Sequence, residues 1–270
     1  MELTANRVSK FFGHRSRIRA VEDASITVRP GDFIAIVGES GSGKSTLARM
    51  LVGLTPPSEG TVELGGRNLA EMDKAELRKF RSTVQFVLQD PAGSLNPRKT
   101  IRRTLTEVAH LYGLGRGKAL DRIAIDALEQ VGISGAEAYL DRYPHELSGG
   151  QRQRVLIARV LIPKPRIIVA DEAVSALDVS VKAGVLKLMD DLRRDLGIGY
   201  VLISHDLSVV RKVASYTYVM TKGRVVEEGE TEALFVSPEE LYTRTLLDAV
   251  LDFDTVLTER FGPQQGYDHG

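Results

Sequence analysis

The chain has 270 residues, 43% of them apolar, with 36 basic and 36 acidic side chains and no cysteine. Length and apolar content allow a large buried core, in one large or two interlocked lobes, while the cancelling charge removes the simplest reason to expect broad binding to nucleic acid or acidic lipid. Disulfides and thiolate metal sites are excluded, a reducing cytosol fits best, and no apolar run approaches the ~20 residues needed to cross a bilayer. The start, Met1-Glu2-Leu3-Thr4-Ala5-Asn6-Arg7, lacks the basic and then apolar pattern of a secretion signal.

Residues 2–8 and 21–28 alternate apolar and polar side chains, as half-buried strands do. The turn Arg29-Pro30-Gly31-Asp32 leads into Phe33-Ile34-Ala35-Ile36-Val37, an apolar run that predicts a strand buried on both faces. A glycine-rich loop over 38–45 follows, and then a helix over 46–54, whose Leu47, Met50, Leu51 and Leu54 recur at helical spacing. Pro56-Pro57-Ser58 ends it, Thr61 to Leu64 predict a strand, and Gly65-Gly66 a turn. From about 92 to 162 the pattern turns helical, with stripes at Leu105, Val108, Ala109 and Leu111 and at Ile123, Ala127, Leu128 and Val131, which predicts an inserted helical lobe. Strands at 167–170 and 200–203 flank a helix over 185–196, the alternation of a parallel sheet. A last strand is expected at 225–228 and one or two helices over 239–261.

Gly38-Glu39-Ser40-Gly41-Ser42-Gly43-Lys44-Ser45 satisfies the P-loop pattern between a buried strand and a helix. Its glycines let backbone N–H groups turn inward around phosphates, Lys44 neutralises β and γ oxygens, and Ser45 can ligate Mg²⁺. Thr46, next in the chain, is expected to join the nucleotide contacts. Ile167 to Ala170 deliver Asp171 and Glu172 to a strand end; Asp171 is expected on Mg²⁺ and Glu172 as the general base for an attacking water. Leu147-Ser148-Gly149-Gly150-Gln151 opens a third element. Alone it reads as an ordinary helix cap, yet its exposed N–H groups also suit an anion, and with no lysine of its own it points to completing another molecule's site.

Together these segments resemble the ABC ATPases, with Walker A at 38–45, Walker B at 167–171 and the signature at 147–151. The resemblance covers about residues 1–250 and implies an α/β fold: a RecA-like P-loop NTPase core, an N-terminal antiparallel β subdomain and an inserted helical subdomain. It further implies that Gln89 (Q-loop) contacts Mg²⁺ and links the site to the helical lobe, that Asp178 lies in the D-loop, and that His205 of Ser204-His205-Asp206 contacts the γ-phosphate. Phe12 is expected to stack on adenine, with Phe11 the alternative or a core residue. Two cassettes then face head to tail, ATP between the P-loop of one and Ser148, Gly149, Gly150 and Gln151 of the other.

Gln89-Asp90-Pro91-Ala92-Gly93-Ser94-Leu95-Asn96-Pro97-Arg98 and Ser175-Ala176-Leu177-Asp178-Val179-Ser180-Val181 resemble the oligopeptide and dipeptide importer branch. That likeness implies an ATP- and Mg²⁺-dependent ATPase on the cytoplasmic face of the membrane, paired with a homologous ATPase, two integral permeases and an extracytoplasmic binding protein. It divides the chain into a cassette over 1–235 and an importer-type extension over 236–270, where Tyr242-Thr243-Arg244-Thr245-Leu246-Leu247 resembles the branch's C-terminal motif. Two positions depart from the pattern: Ala173 stands where proline usually stiffens the turn after the general base, and Leu241 where proline usually precedes the Tyr-Thr pair. The competing class is a soluble ABC ATPase that remodels nucleic acid or ribosomes, against which the neutral charge and the lack of a fused second unit or long coiled coil argue.

Overall fold

The computed structural model describes residues 1–13, 18–88, 91–175 and 177–249. Elements run in the order β1 (Leu3–Phe12), β2 (Ile18–Val28), β3 (Phe33–Val37), α1 (Lys44–Leu51), β4 (Glu59–Leu64), β5 (Arg67–Asn68), α2 (Lys74–Thr83), β6 (Val84–Val87), α3 (Pro91–Ser94), α4 (Ile101–Leu111), α5 (Lys118–Gln130) and α6 (Gly149–Leu161). After these come β7 (Ile167–Asp171), α7 (Val179–Leu196), β8 (Gly199–Ile203), α8 (Leu207–Val213), β9 (Tyr216–Thr221), β10 (Arg224–Glu230) and α9 (Thr231–Val236), and residues 241–249 are again helical.

This is an α/β architecture on two sheets. The first is antiparallel, in the order β2-β1-β4-β5; the second, β10-β9-β3-β8-β7-β6, is parallel except at its β9–β10 edge. The continuous apolar runs of β3, β7 and β8 follow from burial of both sheet faces. Because side chains alternate, Phe33, Ala35 and Val37 enter one core with Ile168, Ala170, Tyr200 and Leu202, while Ile34 and Ile36 enter a second with Ile167, Val169, Val201 and Ile203. The second core lies between the two sheets and takes Leu47, Met50 and Leu51 from α1. The first extends under α4, α5 and α6 through Ile101, Leu105, Leu128, Val155 and Leu156, each apolar side chain stabilising the fold by about 1.5–3 kcal/mol.

Several local readings are corrected. The helix expected over 46–54 spans Lys44–Leu51, so Leu54 lies past its end and is 65% exposed. Leu111, expected in the apolar stripe of α4, is also 65% exposed, because it ends the helix beyond the buried Ile101, Leu105 and Ala109. The strand predicted at 225–228 is longer, Arg224–Glu230, and 250–261 of the expected C-terminal helical region fall outside the described residues. Among the described residues no helix is long and apolar enough to cross a membrane.

Tyr200 stacks on Phe33 at 5.2 Å between ring centroids, and its buried hydroxyl has no hydrogen-bond partner among the described residues. Burial pushes that phenol well above its usual pKa. An unpaired buried hydroxyl costs about 1–3 kcal/mol, so Tyr200→Phe is expected to raise Tm by about 2–4 °C per kcal/mol relieved. A fall in Tm on thermal unfolding would contradict this reading.

Candidate functional site

Ligands in open α/β sheets collect outside the carboxyl ends of the strands, and here three neighbouring strands deliver polar groups to that edge. β3 runs into the glycine loop, β8 into Ser204 and His205, and β7, on the far side of β8, ends at Asp171 and Glu172. Gln89 and Asp90, which follow β6 in sequence, lie outside the described residues, as does Ala176.

The loop's glycines are required sterically. Gly38 has φ 144°, and a Cβ there would fall 2.0 Å from the Met220 carbonyl; Gly43 has φ 105°, and its Cβ would fall 2.3 Å from the Ala20 carbonyl. Loop and flanking hairpin are also bonded directly, since the Gly223 N–H donates to the Ser42 carbonyl at 3.0 Å and the Glu22 N–H to the Gly223 carbonyl at 2.8 Å. Ser40, Gly41 and Ser45 are exposed, Thr46 is half-buried and Ser42 is buried. Only 5% exposed, Lys44 donates through Nζ to the carbonyls of Gly38 and Glu39, both at 2.7 Å, and to Ser42 Oγ at 3.3 Å. Burial lowers its pKa, against the pull of the Glu172, Asp171 and Glu39 carboxylates.

Ser45 Oγ donates to Asp171 Oδ1 at 3.0 Å, joining residues 126 positions apart. Burial raises the Asp171 pKa; Glu172 adds to the rise, while the Ser45 hydroxyl, Arg49 and Lys44 oppose it. The folded state therefore carries a cost for the Asp171 charge, present at neutral pH and lost as pH falls through the raised pKa. Asp171→Asn keeps an oxygen for Ser45 and removes the charge. Its expected result without ligand is a higher Tm at neutral pH, with a gap to wild type that closes on acidification, and a much smaller Tm rise on adding MgATP. Thermal unfolding across pH, with and without MgATP, checks both.

Glu172 adopts φ 48°, a left-handed conformation that costs a non-glycine residue about 1–3 kcal/mol. Its N–H donates to the Ile203 carbonyl at 3.0 Å, and its carbonyl accepts from the Ser175 N–H at 3.1 Å and Ser175 Oγ at 2.9 Å. These bonds hold the turn with Ala173, which is 3% exposed and stands where the resemblance leads to an expectation of proline. The carboxylate of Glu172 lies 3.4 Å from His205 Nδ1. The segment after β8 is fixed in turn: Ser204 N–H donates to the Ile36 carbonyl, Asp206 caps α8 through Val209 N–H, and Lys182 of α7 pairs with Asp206 at 2.8 Å.

Ser148 is the N-cap of α6. Its hydroxyl accepts from Gln151 N–H at 3.2 Å, and Gln151 Oε1 accepts from Ser148 N–H at 3.0 Å, a closed capping box. Gln151 Nε2 donates to the Tyr139 hydroxyl at 3.1 Å. Gly149 faces open space, whereas Gly150 backs onto Val181, 2.8 Å from where its Cβ would be. The backbone N–H groups of a first helical turn lack intrahelical acceptors and suit an anion. Asp178 caps α7 through Val181 N–H at 2.9 Å. That bond, with the Ser180 hydroxyl, holds the Asp178 carboxyl below its usual range.

Phe12, 45% exposed at the end of β1, pairs across the sheet with Ile18, two residues before Ala20, the residue that backs the loop. Phe11 is half-buried. Lys44, Ser45, Asp171, Glu172 and His205 thus meet at one sheet edge, whereas Ser148–Gln151 bond within their own cap and to Tyr139. One contact was not foreseen: the Glu39 N–H donates to the hydroxyl of Tyr242 at 3.2 Å. Tyr242 stands out in sequence only through its C-terminal motif, which carries no sign of the loop it meets.

A strand, phosphate loop and helix facing an acid at the end of the next strand but one in the sheet define a P-loop nucleoside-triphosphatase. Within that class the chain belongs to the ABC transporter family, whose model matches residues 21–175. It is 42% identical over 245 residues to the glutathione import ATP-binding protein GsiA of Salmonella typhimurium (strain LT2), covering 91% of this chain and 38% of that protein. It is 48% identical over 232 residues to the probable peptide ABC transporter ATP-binding protein y4tS of Sinorhizobium fredii (strain NBRC 101917 / NGR234), covering 86% of this chain and 65% of that protein. The chain therefore spans well under half the length of the glutathione-import relatives. The dimeric post-hydrolysis structure of the ATP-binding cassette MJ0796 bound to ADP and Pi is similar at TM-score 0.75 and 29% identity, over 85% of this chain and 98% of that one. The fold is also that of cbiO1 from Clostridium perfringens, at TM-score 0.77 and 24% identity, over 96% of each chain.

Proposed function

We propose that this chain is the ATP-hydrolysing subunit of an ABC importer for peptides or related small solutes. The observation that carries the reading is the meeting of Lys44, the Ser45–Asp171 pair and Glu172 with His205 at adjacent strand ends. In this reading the N–H groups of the loop through Thr46 cradle the phosphates, Lys44 leaves its carbonyl acceptors for β and γ oxygens, and Phe12 stacks on adenine. Ser45 and Asp171 offer hard oxygen donors 3.0 Å apart, which fit Mg²⁺. When bound there, the ion neutralises charge on the β and γ phosphates.

Glu172 takes a proton from the water that attacks the γ-phosphorus, the bond from that phosphorus to the β–γ bridging oxygen breaks, and ADP and phosphate leave. His205, 3.4 Å from Glu172 Oε1, orients that carboxylate and reaches the γ-phosphate. Gln89 is assigned to Mg²⁺ and to communication with the helical lobe over about 92–162. Ser148, Gly149, Gly150, Gln151 and Asp178 serve the nucleotide of a facing cassette, preferably a homologous partner.

The cassette over 1–235 would dock through its helical lobe on two permeases at the cytoplasmic face, supplied by an extracytoplasmic binding protein, with 236–270 as an extension. Support for import comes from the names of the glutathione and peptide relatives, and the neutral charge disfavours nucleic acid as a partner. Phosphate release from MgATP, by the purified chain alone and after adding solubilised membranes of its own cells, tests the proposal. Mg²⁺-dependent release that rises with the membrane fraction is expected. No release under either condition would refute it.

A further inference from the structure

The peptide unit between Gly38 and Glu39 is held from both sides. Its carbonyl accepts from Lys44 Nζ at 2.7 Å, and its N–H donates to the Tyr242 hydroxyl at 3.2 Å. A peptide is planar, with C=O and N–H pointing in opposite directions, so fixing the N–H fixes the direction of the carbonyl that receives the lysine. Gly38 makes such a restraint consequential. Its φ of 144° belongs to glycine, whose backbone is the least restricted by its own side chain.

Tyr242 is itself anchored. Its ring packs on the larger core beside Leu246, and Thr243 and Leu247 on the same helix are 1% and 8% exposed. The start of that helix is tied to β10, where the Glu227 carboxylate accepts the N–H groups of Glu239 at 2.7 Å and Glu240 at 3.2 Å. Arg244 closes the turn by donating from Nε to the Pro238 carbonyl at 2.9 Å. A rigid support thus ends in one hydroxyl directed at the nucleotide loop.

We propose that Tyr242 is a positioning residue for nucleotide binding: its hydroxyl sets the Gly38–Glu39 peptide and, through it, where Lys44 waits before it engages phosphate. The inference rests on the ATPase reading and extends it to the C-terminal segment, which becomes part of the loop's binding geometry. Tyr242 need not touch the nucleotide. It spares binding the cost of ordering the first turn of the loop, so its contribution falls on affinity and not on the chemical step.

The test is steady-state hydrolysis by the full chain, comparing wild type, Tyr242→Phe and Thr245→Ala. Phenylalanine keeps the ring and removes only the hydroxyl. Thr245 lies on the same helix, and among the described residues its hydroxyl bonds only to the Leu241 carbonyl, at 3.0 Å. Expected for Tyr242→Phe is a KM for MgATP raised about three- to tenfold, the scale of one lost hydrogen bond, with kcat within about twofold and Tm unchanged; Thr245→Ala should match wild type. A wild-type KM in Tyr242→Phe overturns the inference, as does a loss of kcat and Tm together at constant KM. If wild type itself neither binds nor hydrolyses MgATP, the ATPase reading has failed, which separates the two claims.

Discussion

Glu172→Gln should lower the rate of ATP cleavage at this chain's site by about 10²- to 10⁴-fold, the usual contribution of a positioned general base, while leaving MgATP affinity near that of wild type. Glutamine preserves the size of the side chain and a carbonyl oxygen for the water but cannot take its proton. The φ of 48° and the bonds to Ile203 and Ser175 involve only the backbone of residue 172, so the variant should keep the turn. Single-turnover release of phosphate separates this outcome from a binding defect. In the proposed pairing of two cassettes, ATP held uncleaved should also make the variant accumulate in the closed state. Cleavage at the wild-type rate would mean that another group accepts the proton.

Lys44→Ala is expected to act on the other half of the problem. In the proposed function the ammonium is the cation that the loop supplies to phosphate, and a hydrogen bond to a charged group contributes about 1.5–3 kcal/mol, which corresponds to roughly a 10- to 100-fold loss of ATP affinity. Titration of MgATP into the variant measures it. Stability is expected to change far less than affinity, because removing the charge also removes the burial that lowers the lysine pKa. Equal affinities for variant and wild type would show that the loop binds phosphate by its N–H groups alone.

The parts of the site that were legible in the sequence are those whose chemistry is local. The loop over 38–45 declares itself because glycine spacing and lysine position are dictated by how a backbone wraps phosphate, and β3, β7 and β8 declare themselves as unbroken apolar runs. What escaped is equally physical. Of the residues in α2, only Phe80 is buried, so the helix has no stripe to detect, although Asp73 and Glu76 close a capping box at its start. β6 is four residues long and contains Gln85, too short for a period to register. In β9 the buried Thr217 spends its polarity on Thr231 Oγ1 at 2.8 Å, which hides a buried strand behind a polar residue.

Juxtaposition is the harder matter. That Ser45 meets Asp171, or Glu172 meets His205, depends on the strand order β3-β8-β7, in which the last of these strands in sequence sits between the other two. The motifs named the residues, and only the topology brings them within bonding distance. The Glu39–Tyr242 bond is more remote still, 203 positions apart and made through a backbone N–H that no side-chain pattern marks.

The reading as a transporter subunit, and not only as an ATPase, is tested most directly by what the chain is bound to in its own cells. The measurement is to tag it, solubilise the membranes gently and identify by mass spectrometry the proteins recovered with it. Two integral-membrane permeases and a homologous ATPase are predicted. Recovery only from the soluble fraction, in company with ribosomal or DNA-binding proteins, would contradict the transport reading.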